Sequence, residues 1–162
     1  MKLVILSLAI LSLPLPVRAA NPADVSKLLQ TRSCVGCDLR GADFRKANLV
    51  GVNLSGANLS GANFQLANLG AASLINTNLT GANLAGANLN LASLIRANLS
   101  GANLSGAGLS LAKLPQTNLT NTDLRRTILR GADLSNANLS NADLRGADLR
   151  NADLENTILN AA

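Results

Sequence analysis

The sequence predicts an all-β coil closed at its N-terminal end by one short helix. Three observations predict it. From Leu39 to Leu159 every fifth residue is Leu or Phe, 25 positions without a break, of which 23 are Leu and two are Phe44 and Phe64. Two residues before each stands something small: Ala at 18 positions, and Cys37, Val52, Thr77, Thr117, Thr122, Thr127 or Thr157 at the others. The residue between them is usually Asn or Asp, so the unit reads A-(N/D)-L-x-x. A period of five fits neither regular structure. In a helix five residues advance about 500°, which would spread the Leu over every face. In a straight strand successive Leu would alternate sides. The pattern works if three residues are extended and two turn a corner. The small residue and the Leu then point inward, the Asn or Asp points outward, and Gly recurs at the second corner position, as at Gly41, Gly51, Gly56, Gly61, Gly81 and Gly86.

In chain order, Met1 to Ala19 reads as a secretory signal. Lys2 supplies the positive start, Leu3 to Leu13 is apolar apart from Ser7 and Ser12, Pro14 and Pro16 break the run, and Val17-Arg18-Ala19 suits cleavage after Ala19. The apolar run is short for a membrane span; an uncleaved anchor is the competing reading. Residues 20–36 form the cap and junction. Asn21 suits a helix N-cap, Pro22 its first turn, and Val25, Leu28 and Leu29 fall on one face of a helix over Asn21 to Arg32. That helix is expected to cover an apolar coil end and its unpaired edge.

Cys34 and Cys37 form a lone C-x-x-C at the junction, Cys37 in the small inward position and Cys34 where a Leu would stand one repeat earlier. Three readings stay open: a structural disulfide, favoured in an exported chain; two reduced buried residues; and a redox or metal site, for which two thiolates and no His are too few zinc ligands.

Over residues 37–161 the chain resembles the pentapeptide repeat proteins, with 25 repeats in one register. The resemblance implies a right-handed quadrilateral parallel β-helix with one repeat per side and four per coil, hence about six coils and a tower about 30 Å long. Signal, capping helix, cysteine pair and repeats in that order also look like exported cyanobacterial or thylakoid-lumen members.

In that geometry residues 20 apart stack in columns, and any function lies on outward positions. Asn before the Leu is expected to be structural, forming amide ladders up the coil. One apolar cluster stands out: Ile75, Ile95 and Pro115 share a column, and Ala71, Leu91 and Leu111 share the neighbouring corner, a candidate partner patch. Beyond residue 120 charge returns. Arg125 and Arg145 stack in one column and Arg130 and Arg150 in another, with Arg126 nearby. Asp123, Asp133, Asp143, Asp148 and Asp153 run alongside. From 121 to 162 there are five positive and six negative residues, net −1. A solvated salt-bridge lattice is the leading reading, and an anion-binding strip of the four stacked arginines the sharper one.

The chemical inventory excludes more than it selects. There is no His and there are two Cys, so neither general acid-base catalysis nor a zinc site is well supplied, and no cofactor is expected. The formal charge of +5, less two for Lys2 and Arg18, leaves +3, too mild and too scattered for a nucleic-acid footprint. The expected function is a non-enzymatic structural or protein-interaction scaffold in the periplasm or thylakoid lumen, off the membrane once the signal is removed. The expected state is a monomer, with end-to-end dimers through the last coil as the alternative. Two other readings remain: a DNA-mimicking gyrase-protecting role, which some members of the resembled family have, and a redox-responsive module using the cysteine pair.

Overall fold

The computed structural model describes residues 20–162; the expected signal segment, Met1 to Ala19, lies outside the described residues. Parallel bridges join each outward residue to the one 20 positions on, from Ser33–Asn53 through Asn83–Asn103 to Asn138–Ile158. Four five-residue sides therefore make one coil, and the coils stack. The first bridged residue is Ser33, ahead of the boundary expected at 37. Each side contributes one bridged residue rather than a continuous strand, because the chain turns after three extended residues.

The repeat from Ala82 to Gly86 shows why the unit has this composition. The Asn83 N–H donates to the Ala62 carbonyl of the coil before (2.9 Å), and Leu84 and Gly86 donate to Asn103 and Ser105 of the coil after (2.7 and 2.9 Å). Ala87 N–H closes the turn onto Leu84 O at 3.0 Å. The remaining donor, Ala85 N–H at the first corner position, bonds Asn83 Oδ1 at 3.1 Å. Every N–H of the repeat is thus satisfied. Asn or Asp recurs before the Leu because its side-chain oxygen caps that first-corner N–H. This corrects the expected amide ladders. Side-chain bonding between stacked Asn occurs at Asn88–Asn68 (3.0 Å), while the prevailing contact is local, as at Ser55–Asn53, Gln65–Asn63 and Thr120–Asn118.

Every second corner residue from Gly36 to Ala161 has a left-handed backbone, with φ between 53° and 73°. Gly takes this conformation freely, and Asn, found at corners such as Asn76, Asn121 and Asn136, tolerates it. Leu66, Leu91, Leu111, Lys46, Arg96 and Arg126 adopt it as well, at a cost of about 1–2 kcal/mol per residue.

Inside, the Leu positions from Leu39 to Leu139 are buried together with their small partners, of which Ala47 is only half-buried. Phe44 and Phe64 stack across adjacent coils with centroids 5.2 Å apart. Where Thr replaces the small residue, its hydroxyl finds an acceptor: Thr117, Thr122, Thr127 and Thr157 donate to the carbonyls of Leu94, Leu99, Leu104 and Leu134 one coil back, and Thr77 to Leu74 within its own turn. Burial of the hydroxyls therefore carries no unpaired-group penalty. Toward the last coil the core opens, with Leu154 and Leu159 exposed.

At the other end helix α1, Pro22–Thr31, replaces the missing coil. Asn21 Oδ1 accepts from Ala23 N–H, and Arg32 ends the helix in a left-handed conformation. The Asn21 N–H donates to Asp38 O (3.0 Å), and Asp24 Oδ2 accepts the Asp38 N–H (2.9 Å). Elsewhere a neighbouring coil supplies both bonds. Leu28 enters the core and Val25 packs beside it, but Leu29 is 64% exposed. Its expected place on the buried face is corrected: the coil end admits one line of side chains, occupied by Leu28, and the next position projects past the rim.

Candidate binding surfaces

The sulfurs of Cys34 and Cys37 are joined, 2.04 Å apart, across the corner formed by Val35 and Gly36. Both residues are buried beneath α1, and Cys34 Sγ lies 3.2 Å from the Asp24 carbonyl. A carboxylate oxygen of Asp24 stands within 4.8 Å of both sulfurs. Joined sulfurs offer no thiolate, so in this state the cluster is a fastening of the corner under the helix rather than a metal ligand set.

The apolar cluster occupies one side of the coils from Ala71 to Pro115. Leu91 and Leu111 are 61% and 60% exposed at one corner, with Ala71 beside them, while Ile75, Ile95 and Pro115 are half-buried at the other. Between the two corners the outward residues are Ser73, Ser93 and Lys113, bridged in line. The Asn cap is missing here, as it is at Arg130, which stands two residues after Ile128. Pro115 has no N–H to cap, and the N–H groups of Ile75 and Ile95 have no acceptor among the described residues. Sequence reasoning missed Leu66, 55% exposed at a different corner with φ 58°. The register that singled out Leu91 and Leu111 marks it equally. Leu66 and Leu111 lean over the glycine of the next coil: a Cβ added at Gly86 or Gly131 would meet their Cδ2 atoms at 2.8 and 2.9 Å.

The charged coils are ordered by side. The side 121–125 with 141–145 carries Asp123, Arg125, Asp143 and Arg145; the side 126–130 with 146–150 carries Arg126, Arg130, Asp148 and Arg150; the side 131–135 with 151–155 carries Asp133, Asp153 and Glu155. Net charge by side is therefore zero, +2 and −3. Arg125 and Arg145 clamp Asp123 and Asp143 at 2.6 Å, and Arg125 also approaches Asp143 at 3.7 Å. Arg130 and Arg150 converge on Asp148 at 2.5 and 2.8 Å. The Arg145 hydrogen bond holds the Asp143 carboxyl down at about 2, and hydrogen bonds from Arg150 and Arg130 hold Asp148 well below the usual carboxylate range. The four arginines of the expected strip, Arg125, Arg130, Arg145 and Arg150, stand in two columns at neighbouring corners, one side apart. Arg126 is the neighbour of Arg125 and Arg145. Together with Ser105 and Gly106 these three arginines line a cavity of about 610 Å³. A second cavity, of about 540 Å³, lies on the same edge of the tower and is lined by Asp43, Arg45, Lys46, Gln65 and Leu66.

Among the described residues no helix is long and apolar enough to cross a membrane. The molecule is a solenoid of five-residue sides, a protein class whose working parts are its outward columns and corners. The family model for pentapeptide repeats matches in 8 copies over residues 33–70, 72–110, 92–131, 102–141 and 129–160, and the chain belongs to the pentapeptide repeat family. Among solved structures it is similar to HetL from the cyanobacterium Nostoc sp. strain PCC 7120, a pentapeptide repeat protein involved in heterocyst differentiation regulation. The identity is 33% over 78% of this chain and 73% of that one, with a TM-score of 0.52. It is also similar to the pentapeptide repeat protein Rfr23 from the cyanobacterium Cyanothece 51142, at 26% identity over 85% of this chain and 97% of that one, with a TM-score of 0.53. A pentapeptide repeat protein from the Arabidopsis thaliana thylakoid lumen shares 33% identity over 64% of this chain and 68% of that one, with a TM-score of 0.32. No curated protein matches the chain.

Proposed function

We propose that the protein is a non-enzymatic interaction scaffold acting outside the cytoplasm, in the periplasm or thylakoid lumen. Its right-handed coil presents the side bounded by Leu91, Leu111, Ile75, Ile95 and Pro115 to a protein partner. One observation carries the reading. Leu91 and Leu111 hold left-handed corners that Gly fills at Gly51 and Gly131 in the same column, and both stay largely exposed. Neither the backbone nor the core benefits from Leu there, which leaves contact with another molecule as the use of the exposed apolar area. The joined cysteines agree with an oxidising compartment. A gyrase-protecting DNA mimic calls for an acidic rod, whereas this chain carries a formal charge of +5.

The test is affinity capture from the compartment where fractionation finds the protein, with Leu91→Ser/Leu111→Ser as comparison. The variant should fold as the parent does and lose the captured protein. An unchanged partner set or unchanged self-association sinks the assignment, and recovery in the cytoplasm with an intact N-terminus sinks the location.

A further inference from the structure

We propose that the cavity lined by Ser105, Gly106, Arg125, Arg126 and Arg145 binds a tetrahedral oxyanion of the phosphate monoester class. It lies at a different corner from the apolar side, and the two assignments stand or fall separately.

The cavity has a simple origin. In the second corner column the residues run Leu66, Gly86, Gly106, Arg126, Gly146, and in the adjoining first corner column Gln65, Ala85, Ser105, Arg125, Arg145. Small residues on one coil are followed by two arginines on the next, so Ser105 and Gly106 leave an open step beside the arginines. Two of them are held in place. Arg125 and Arg145 each give Nε and one Nη2 hydrogen to an aspartate two residues earlier. A guanidinium has five N–H donors in a planar fork, so each retains three outside its clamp. The aspartates fix orientation without exhausting the donors.

Arg126 is different. Among the described residues it has no ion pair and no side-chain hydrogen bond. Its stem crosses Gly146, where a Cβ would stand 3.5 Å from Arg126 Cγ, and this carries it toward the coil of Arg145. It also occupies a left-handed corner (φ 57°), which Gly fills in the coils on either side. The hydrogen bond to Asp143 holds Arg145 firmly protonated, with Arg125 close enough to oppose it weakly. Three guanidiniums against Asp123 and Asp143 leave one uncompensated positive charge at the mouth.

A dianion with several oxygens answers this arrangement best. Charge-assisted bonds from guanidinium to phosphate are strong and often bidentate. Three guanidinium groups lining one cavity match the three terminal oxygens of a phosphate group better than the two of a carboxylate. At about 610 Å³ the cavity leaves room beside the ion for its ester group.

The experiment is calorimetric titration of the full chain with inorganic phosphate and with glycerol phosphate at low ionic strength. The variants Arg126→Gly and Arg96→Gly run alongside. Both replace an arginine at a left-handed corner with the residue that corner tolerates best, so the fold survives; Arg96 is remote from the cavity and bonds Asn76. Saturable binding that weakens about tenfold in Arg126→Gly, the loss of roughly one charged hydrogen bond, and that persists in Arg96→Gly supports the site. Absence of saturable uptake by the parent up to about 10 mM, equal affinity in Arg126→Gly, or an equal loss in Arg96→Gly overturns it. Uptake by phosphatidate vesicles without any response to the soluble phosphates overturns it also.

Discussion

Asn90 Oδ1 accepts a hydrogen bond of 2.8 Å from the backbone N–H of Ser110, one full coil later. At most repeats this N–H is capped by the residue two positions before it, which here is Gly108 and has no side chain. Asn90 reaches across from the preceding coil instead, over the space that Gly108 leaves. A Cβ at Gly108 would stand 3.2 Å from Asn90 Oδ1. Gly108→Ala is therefore expected to push Asn90 aside and cost about 1 kcal/mol, the net worth of one hydrogen bond. The amide of Ser110 should exchange faster with solvent deuterium while amides two coils away do not change. Unaltered exchange at Ser110 would show that the Asn90 bond is dispensable.

The core separates closed coils from the open one. Leu104 is fully buried, whereas Leu154 is 38% exposed. Leu104→Ala should cost about 2–5 kcal/mol, as truncation in a well-packed core does. Leu154→Ala should cost less than about 1 kcal/mol, since little apolar area leaves the core. Chemical denaturation of both variants checks the ordering, and equal losses would mean that the last coil is as well covered as the middle.

Corner strain can be measured directly. At Gly101, φ is 66° and an added Cβ would meet nothing within 4 Å, so a substitution there meets backbone strain without a steric clash. Gly101→Val should destabilise by about 1–2 kcal/mol, the left-handed penalty. Leu91→Gly should be neutral or slightly stabilising, because relief of that strain outweighs the added freedom of Gly in the unfolded chain. Thermal unfolding of the pair tests both signs.

Acid should loosen the charged coils late. The Arg145 hydrogen bond lowers the Asp143 carboxyl from 3.8 to about 2 in the folded protein. A depressed folded-state value means that the contribution is fully present above about pH 4 and is lost as pH falls through about 2. Stability should accordingly be flat from neutrality to about pH 5 and fall below about pH 4. Asp143→Asn should remove part of that fall. Because Arg145 is exposed and Asp143 only half-buried, the effect is small and screened by salt. Carboxyl resonances followed by NMR give the Asp143 titration, and an ordinary midpoint near 4 would refute the clamp.

Much of the fold is legible in residue order because the repeat carries the same physical instruction 25 times. Leu must go in, its partner must be small, and Asn or Asp must sit where a corner N–H lacks an acceptor. The capping helix is legible from Asn21, Pro22 and Leu28. The surfaces are less so. Leu91 and Leu111 stand out by register, yet Leu66 obeys the same register and passes unremarked. The arginine columns are visible as columns, but which carboxylate each arginine takes is not.

By itself, the sequence determined the period, the inward and outward sets, and the poverty of catalytic groups, since each follows from residue type at a fixed spacing. The tertiary structure decided which outward residues are neighbours. Stacking brings Ser105, Gly106, Arg125, Arg126 and Arg145 together across three coils. It sets Asp24 against Asp38 across the cap, and it parts Arg130 from Arg145 by one side of the coil. The reason is geometric: a residue's lateral neighbour lies 20 positions away, and whether it leans toward that neighbour depends on the bulk and hydrogen-bonding partners that the neighbouring coil presents.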